Sequence, residues 1–220
     1  MWKPPTDEAP VTKPVVLAVE GADEFYLFVD LCRREGIRDR MHIHNLRGRD
    51  GLTNKLGALA RTTGFKESAR AIGVVIDAEN GTVGEALSAA SEGLSAVVET
   101  LVAGEPPTLT LTQGAIDPLP TPRGALHIGS LIVDKCLDEW CLSTVAGDPK
   151  LVCVDGYIAC LMDKVSRPEW PKRRLRAYLT AFDDPTMTVG RAAKDDHWHF
   201  EDECWSPLKR FLRDLVGVAK

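Results

Sequence analysis

The sequence predicts an α/β fold, in which a mostly parallel sheet of about four core strands is flanked by helices and followed by a helical C-terminal region. Two apolar runs, Val15 to Val19 and Ile72 to Ile76, have the length of buried strands, and each is followed by a segment with apolar residues at helical spacing. Strands alternating with helices imply parallel pairing through right-handed crossovers. Both runs also stop on acids, at Glu20-Gly21 and at Asp77-Ala78-Glu79.

The elements follow in order. Beyond Gly21, the segment from Ala22 to Glu35 sets Phe25, Phe28, Leu31 and Cys32 on one helical face, with Asp23 near the N-cap and Gly36 as the stop. Met41-His42-Ile43-His44-Asn45 alternates as a second strand, and Arg47-Gly48-Arg49-Asp50-Gly51 turns the chain into a helix from Leu52 to Arg61. Ala71 to Asp77 is the third strand. The segment from Val83 to Val102 then carries Leu87, Leu94, Val97, Val98 and Leu101 on a helical face. The stretch from Gly104 to Arg123, rich in Pro, Gly and Thr, is expected to be an inserted hairpin or loop, with Thr108 to Thr112 as a short exposed strand. Leu126 to Val133 forms the fourth core strand, ending at Asp134, and a helix with Leu137, Trp140, Cys141 and Leu142 follows. Beyond Pro149 the pattern is mainly helical, from Leu151 to Val165 and from Arg173 to Phe182. The expected organisation is a core of residues 1–148, with an insertion near 104–123, and a helical extension of residues 149–220 packed on it.

Composition narrows the function classes. A hydrophobic content of 44% supports a real core, and a net charge of -5 with a pI near 5.6 confines any nucleic-acid contact to local patches or bound cations. Met1-Trp2-Lys3-Pro4-Pro5 lacks the apolar centre of a signal peptide, and no run approaches the ~18 apolar residues of a membrane span, so a cytoplasmic protein is expected. The six cysteines include no C-x-x-C pair and read as core thiols.

In an open parallel sheet, ligands bind outside the carboxyl ends of the strands, where Glu20 and Asp77 would both sit. Each acid taken singly reads as a solvated group: Asp23 a cap, Glu24 a favourable charge at a helix start, Asp77 a turn former. Gathered at one edge they repel one another unless a cation neutralises them, and such hard oxygen ligands suit Mg²⁺ or Mn²⁺. Glu20 and Glu24 lie one helical turn apart across the Gly21 bend and could reach one ion. Asp77 and Glu79, two residues apart, would share a face if the strand ran through them.

The order Val19-Glu20-Gly21, a turn at Gly48, then Asp77-x-Glu79 resembles the Toprim domain of topoisomerases, primases and overcoming-lysogenization-defect nucleases. The likeness is nearest to a bacterial family of uncharacterised Toprim-like proteins. It extends through Asp138-Glu139-Trp140-Cys141-Leu142, Asp148-Pro149, Cys153-Val154-Asp155, Arg174 to Leu179 and Pro207-Leu208-Lys209. The resemblance implies a Toprim-like, Rossmann-like sheet with Glu20, Asp77 and Glu79 as catalytic acids. It also implies Mg²⁺ or Mn²⁺ held by Glu20, Glu24, Asp77, Glu79 and Asp138. The usual Asp-x-Asp pair has Glu79 as its second member here, and Asp138 of Lys135-Cys136-Leu137-Asp138 stands where the family has glutamate.

With no tyrosine nucleophile assignable among Tyr26, Tyr157 and Tyr178, the resemblance favours phosphodiester hydrolysis, with DNA ahead of RNA as substrate. Lys172, Arg173 and Arg174, beside Trp170, are the candidate nucleic-acid contacts. The alternative is a catalytically degenerate Toprim-like module working with a partner ATPase, for instance in phage defence. A homodimer is compatible with either. His42-x-His44 and His197-x-His199 have ligand-like spacing, but without cysteine or histidine partners they read as hydrogen-bonded surface histidines that bind no zinc tightly.

Overall fold

The computed structural model describes residues 9–79, 81–102, 106–134, 136–162 and 170–219. Five strands form one sheet: β1 (Val15–Val19), β2 (Met41–Asn45), β3 (Ala71–Asp77), β4 (Ile116–Thr121) and β5 (Gly124–Val133), in the order β2-β1-β3-β5-β4. β1, β2, β3 and β5 run parallel, and β4 is antiparallel at the edge. This is a Rossmann-like α/β fold.

Side-chain alternation splits the core between the two faces. Val15, Leu17 and Val19 face one cluster, while Val16 and Ala18 face the other, so central β1 is buried along its whole length. β2, at the edge, keeps only Met41 and Ile43 buried. The second face is covered by α2 (Leu52–Arg61), α3 (Thr63–Ser68) and α4 (Val83–Leu101). Gly93 lets α4 approach α2, since a Cβ there would lie 2.9 Å from Leu56 Cδ1. A capping box of Thr82 and Glu85 starts α4.

The first face is covered by α1 (Ala22–Arg34), α5 (Leu137–Thr144), α6 (Pro149–Met162), α7 (Trp170–Thr180), α8 (Val189–Lys194) and α9 (Ser206–Val218). The C-terminal helices therefore share one core with β1 and α1. Gly73 and Gly129 are register partners on adjacent β3 and β5, and together they form a notch. A Cβ on Gly73 would lie 2.7 Å from Leu215 Cδ2, and one on Gly129 would lie 3.2 Å from Phe211 Cε2. The sheet thus admits α9 only because both positions lack side chains.

Several expectations are corrected. The N-cap of α1 is Gly21, not Asp23, which lies in the first turn. Thr108 to Thr112 form no strand; the added strand is β4, whose Pro118 and Pro120 lack the backbone donor a central strand needs. α6 begins at Pro149, α7 spans Trp170–Thr180, and the expected helix end at Val165 lies outside the described residues. α3, α8 and α9 were not anticipated as separate helices.

The notch gives a direct test. Gly129→Ala brings a Cβ to 2.7 Å from the Ala115 carbonyl oxygen and into the Phe211 ring, so urea unfolding should report a loss of about 1–3 kcal/mol. Gly156→Ala, in α6 with nothing within 4 Å, should instead gain about 0.5–1 kcal/mol from helix propensity. Equal effects of the two substitutions would contradict close packing of α9 on the sheet.

Candidate functional site

β1 sits between β2 and β3, so the chain leaves β1 toward β2 on one side and later enters β3 on the other. Loops from neighbouring parallel strands then diverge, opening a crevice at the carboxyl ends of β1 and β3. Val19 pairs with Val75 and Asp77 with Val133, which sets Glu20 and Asp77 on the same edge, one on each lip. That part of the expectation is met.

The rim is tied by backbone bonds. Leu46 N–H donates to the Val19 carbonyl (2.8 Å) and Gly48 N–H to the Glu20 carbonyl (2.7 Å), folding the β2–α2 turn over the end of β1. Gly48 has φ +95°, which a residue with a side chain adopts only with strain. From that turn Arg49 reaches across the crevice, its Nη1 donating to the Asp77 carbonyl at 3.3 Å. Lys55 braces the turn by donating to the Gly48 carbonyl (2.9 Å).

Gly21 has an extended backbone, so its importance is spatial. A Cβ there would sit 2.6 Å from Glu24 Oε2, because the Glu24 carboxylate folds back over the start of α1. Asp77 is buried, and its Oδ1 accepts the Leu137 N–H at the start of α5 (3.2 Å). Glu20 accepts from the Asp77 backbone, yet its Oε2 is buried with no hydrogen-bond partner.

Burial is the main reason the pKa values of these acids are raised. It pushes Asp77 up to about 8, with the charges of Glu24, Glu20 and Asp138 adding to it against the Leu137 N–H. It pushes Glu24 up to about 7, opposed by its own backbone N–H and reinforced by Glu20, Asp23 and Asp138. Asp138, on α5, rises to about 6 through burial, with Lys172 and Arg176 pulling the other way. Glu20 is raised by burial and then by Glu79, opposed by Arg49.

Glu79 stands apart. The strand ends at Asp77, and Glu79 takes φ +51°, so the two do not share a strand face. Its carboxylate accepts from Lys172 Nζ at 2.8 Å. The expected basic patch is largely engaged within the chain: Lys172 answers Glu79, Arg174 forms a two-pronged pair with Asp155 (2.5 and 2.8 Å), and Arg173 Nε is buried without a partner. Arg176, one turn beyond Lys172, faces the charges of Asp23 and Asp138.

The donor set of Glu20, Glu24, Asp77 and Asp138 fits a hard divalent cation in its chemistry, and the unpartnered Glu20 Oε2 is a free oxygen ligand. As arranged, no three His, Cys, Asp or Glu side chains among the described residues could hold a metal ion together, so binding requires these carboxylates to draw closer.

Elsewhere, His42 and His44 do lie on one side of β2, with ring centroids 6.3 Å apart. His42 is pushed down to about 4 by burial, then by His44, Lys13 and Arg38. His197 packs on Phe182 at 4.3 Å, outside any strand. Arg49 was not foreseen as a site residue, although an Arg-Gly-Arg turn directly after a strand was its signal.

With this geometry established, comparison with known proteins supplies a family. The chain belongs to the family described as protein of unknown function DUF3226. The match covers residues 14–217, from the strand that leads into Glu20 through the helix seated in the glycine notch. No curated protein and no solved structure matches. No helix among the described residues is long and apolar enough to cross a membrane.

Because the fold raises the pKa of Asp77, Glu24 and Asp138, the folded chain binds more protons than the unfolded chain between about pH 4 and about pH 8. Stability from the neutral acids is complete below about pH 4 and is lost as pH rises through about 8. Thermal unfolding in EDTA should show Asp77→Asn, which can still accept the Leu137 N–H, stabilised over wild type at about pH 8 and far less at about pH 5. An equal difference at both pH values would remove the buried-acid account.

Proposed function

We propose that this DUF3226 protein is a Toprim-like enzyme that hydrolyses nucleic-acid phosphodiesters with the help of Mg²⁺ or Mn²⁺. The observation that carries the reading is the gathering of Glu20, Glu24, Asp77 and Asp138 at the crevice, their pKa values all raised and one Glu20 oxygen unpartnered. Groups so arranged bind a cation by exchanging protons for it. Glu20 and Asp77 would hold it, with Glu24 and Asp138 beside them. When bound, a divalent cation supplies Lewis-acid stabilisation of a phosphoryl oxygen and of the leaving oxygen.

The remaining roles fall to the chain itself. Glu20, whose pKa burial raises, is suited to take a proton from an attacking water. Arg49, fixed by the Asp77 carbonyl, presents its remaining N–H groups to a phosphate oxygen at the rim. Lys172, on the facing helix, can exchange Glu79 for a phosphate, since a half-exposed ion pair contributes only about 0–1 kcal/mol. A strand of DNA would then cross the crevice between the β2–α2 turn and α7.

That ion pair also favours a second reading, a catalytically degenerate module that acts through a partner ATPase. There Lys172 holds Glu79 permanently, and the acids never assemble around a cation.

The two readings part on the metal. Mg²⁺ or Mn²⁺ at millimolar concentration should raise the melting temperature of wild type, by mass action on the folded state, and leave Asp77→Asn unmoved. Single- or double-stranded DNA or RNA should be cut with Mn²⁺ by wild type and not by Asp77→Asn. If wild type shows neither a metal-dependent shift nor cleavage, the degenerate module stands and the enzyme does not.

A further inference from the structure

A second cleft lies at the opposite, amino edge of the sheet. It is lined by Phe65 and Lys66 of α3, Arg70 ahead of β3, Leu101 at the end of α4, and Arg123 with Leu126 from the β4–β5 hairpin. Three cations from two separate segments meet there, and no Asp or Glu lines it, although the chain as a whole carries a net charge of -5. Such a local excess is not the background of an acidic protein.

The two guanidiniums are held in place from behind. Arg123 Nη1 donates to the Lys66 carbonyl at 2.9 Å, and Arg70 Nη1 donates to the carbonyls of Ala69 (2.9 Å) and Glu67 (3.2 Å). These contacts cap the end of α3, and each uses a single nitrogen of a group with five N–H donors. Among the described residues, no carboxylate pairs with Lys66, Arg70 or Arg123. Phe65 and Leu126 are buried beneath them and give the cleft an apolar floor.

We propose that this cleft is a binding site for a phosphate dianion, free or as a small monoester, held by Lys66, Arg70 and Arg123. Its volume of about 190 Å³ is below the ~300–1,000 Å³ of ordinary small-molecule sites, so the cleft encloses a phosphate group and leaves the organic part of a monoester outside it. A dianion matches three unneutralised cations better than a single carboxylate does, and forked N–H groups suit its oxygens. The site is separate from the carboxylate crevice and does not depend on its function.

The test is an NMR titration of the full ¹⁵N-labelled chain at constant ionic strength, with inorganic phosphate, adenosine 5′-monophosphate and adenosine in turn. Saturable shifts are expected at the amides of Arg70, Arg123 and Gly124 with both phosphates and not with adenosine. Tighter binding of the monophosphate assigns the site to a monoester, and equal binding assigns it to free phosphate. Arg123→Gln, on an exposed turn, should weaken binding by about tenfold or more, as should Lys66→Gln, while Lys172→Gln should leave it unchanged. Non-saturable shifts, binding of adenosine as tight as that of its monophosphate, or affinity unchanged in both Arg123→Gln and Lys66→Gln would overturn the proposal.

Discussion

The arrangement depends on one pairing, β1 beside β3 in parallel register. Because β2 lies on the far side of β1, crossovers leave this strand pair in opposite directions and open a gap between its carboxyl ends. Everything chemical about the crevice follows from what lines that gap. Glu20 and Asp77 are brought to opposite lips by register alone, and the start of α5 is delivered against Asp77 because β5 is the next strand over. A one-residue slip between β1 and β3 would turn every β3 side chain to the other face and part the acids.

The crevice is a place of stored electrostatic tension. Burial and mutual repulsion raise the pKa values of its carboxyl groups, whereas α7 above them is basic. Lys172 and Arg176 stand close enough to be felt by Asp138 but leave Glu20 Oε2 unsatisfied. Opposite charge sits at the rim and like charge at the floor. This division allows a polyanion to approach a site whose centre is acidic.

Much of this was legible in the sequence where pattern and topology agree. β1, β2 and β3 are seen in their period, and α2 runs from Leu52 to Arg61 as its flanking glycine and apolar spacing predict. β4 was hidden because Pro118 and Pro120 read as breakers; only pairing with β5 along an edge makes them tolerable. α9 carries Leu208, Phe211, Leu212 and Leu215 at helical spacing, so its signal was present, but its fit against Gly73 and Gly129 exists only in three dimensions. The strand-end acids could be placed from the sheet's topology. The Lys172–Glu79 contact spans 93 residues of chain, and no local pattern announces it.

The two prolines of β4 bear on assembly as well as on pairing. The sheet has two outer strands, and β4 is short of backbone donors at alternate positions, whereas β2, with the sequence MHIHN, keeps them all. Identical strands meeting across a two-fold axis run antiparallel and need a full set of donors on each side. A dimer built by joining sheets would therefore meet at β2, making a ten-stranded sheet with the proline-bearing strands at its outer ends, where they stop further copies from adding on.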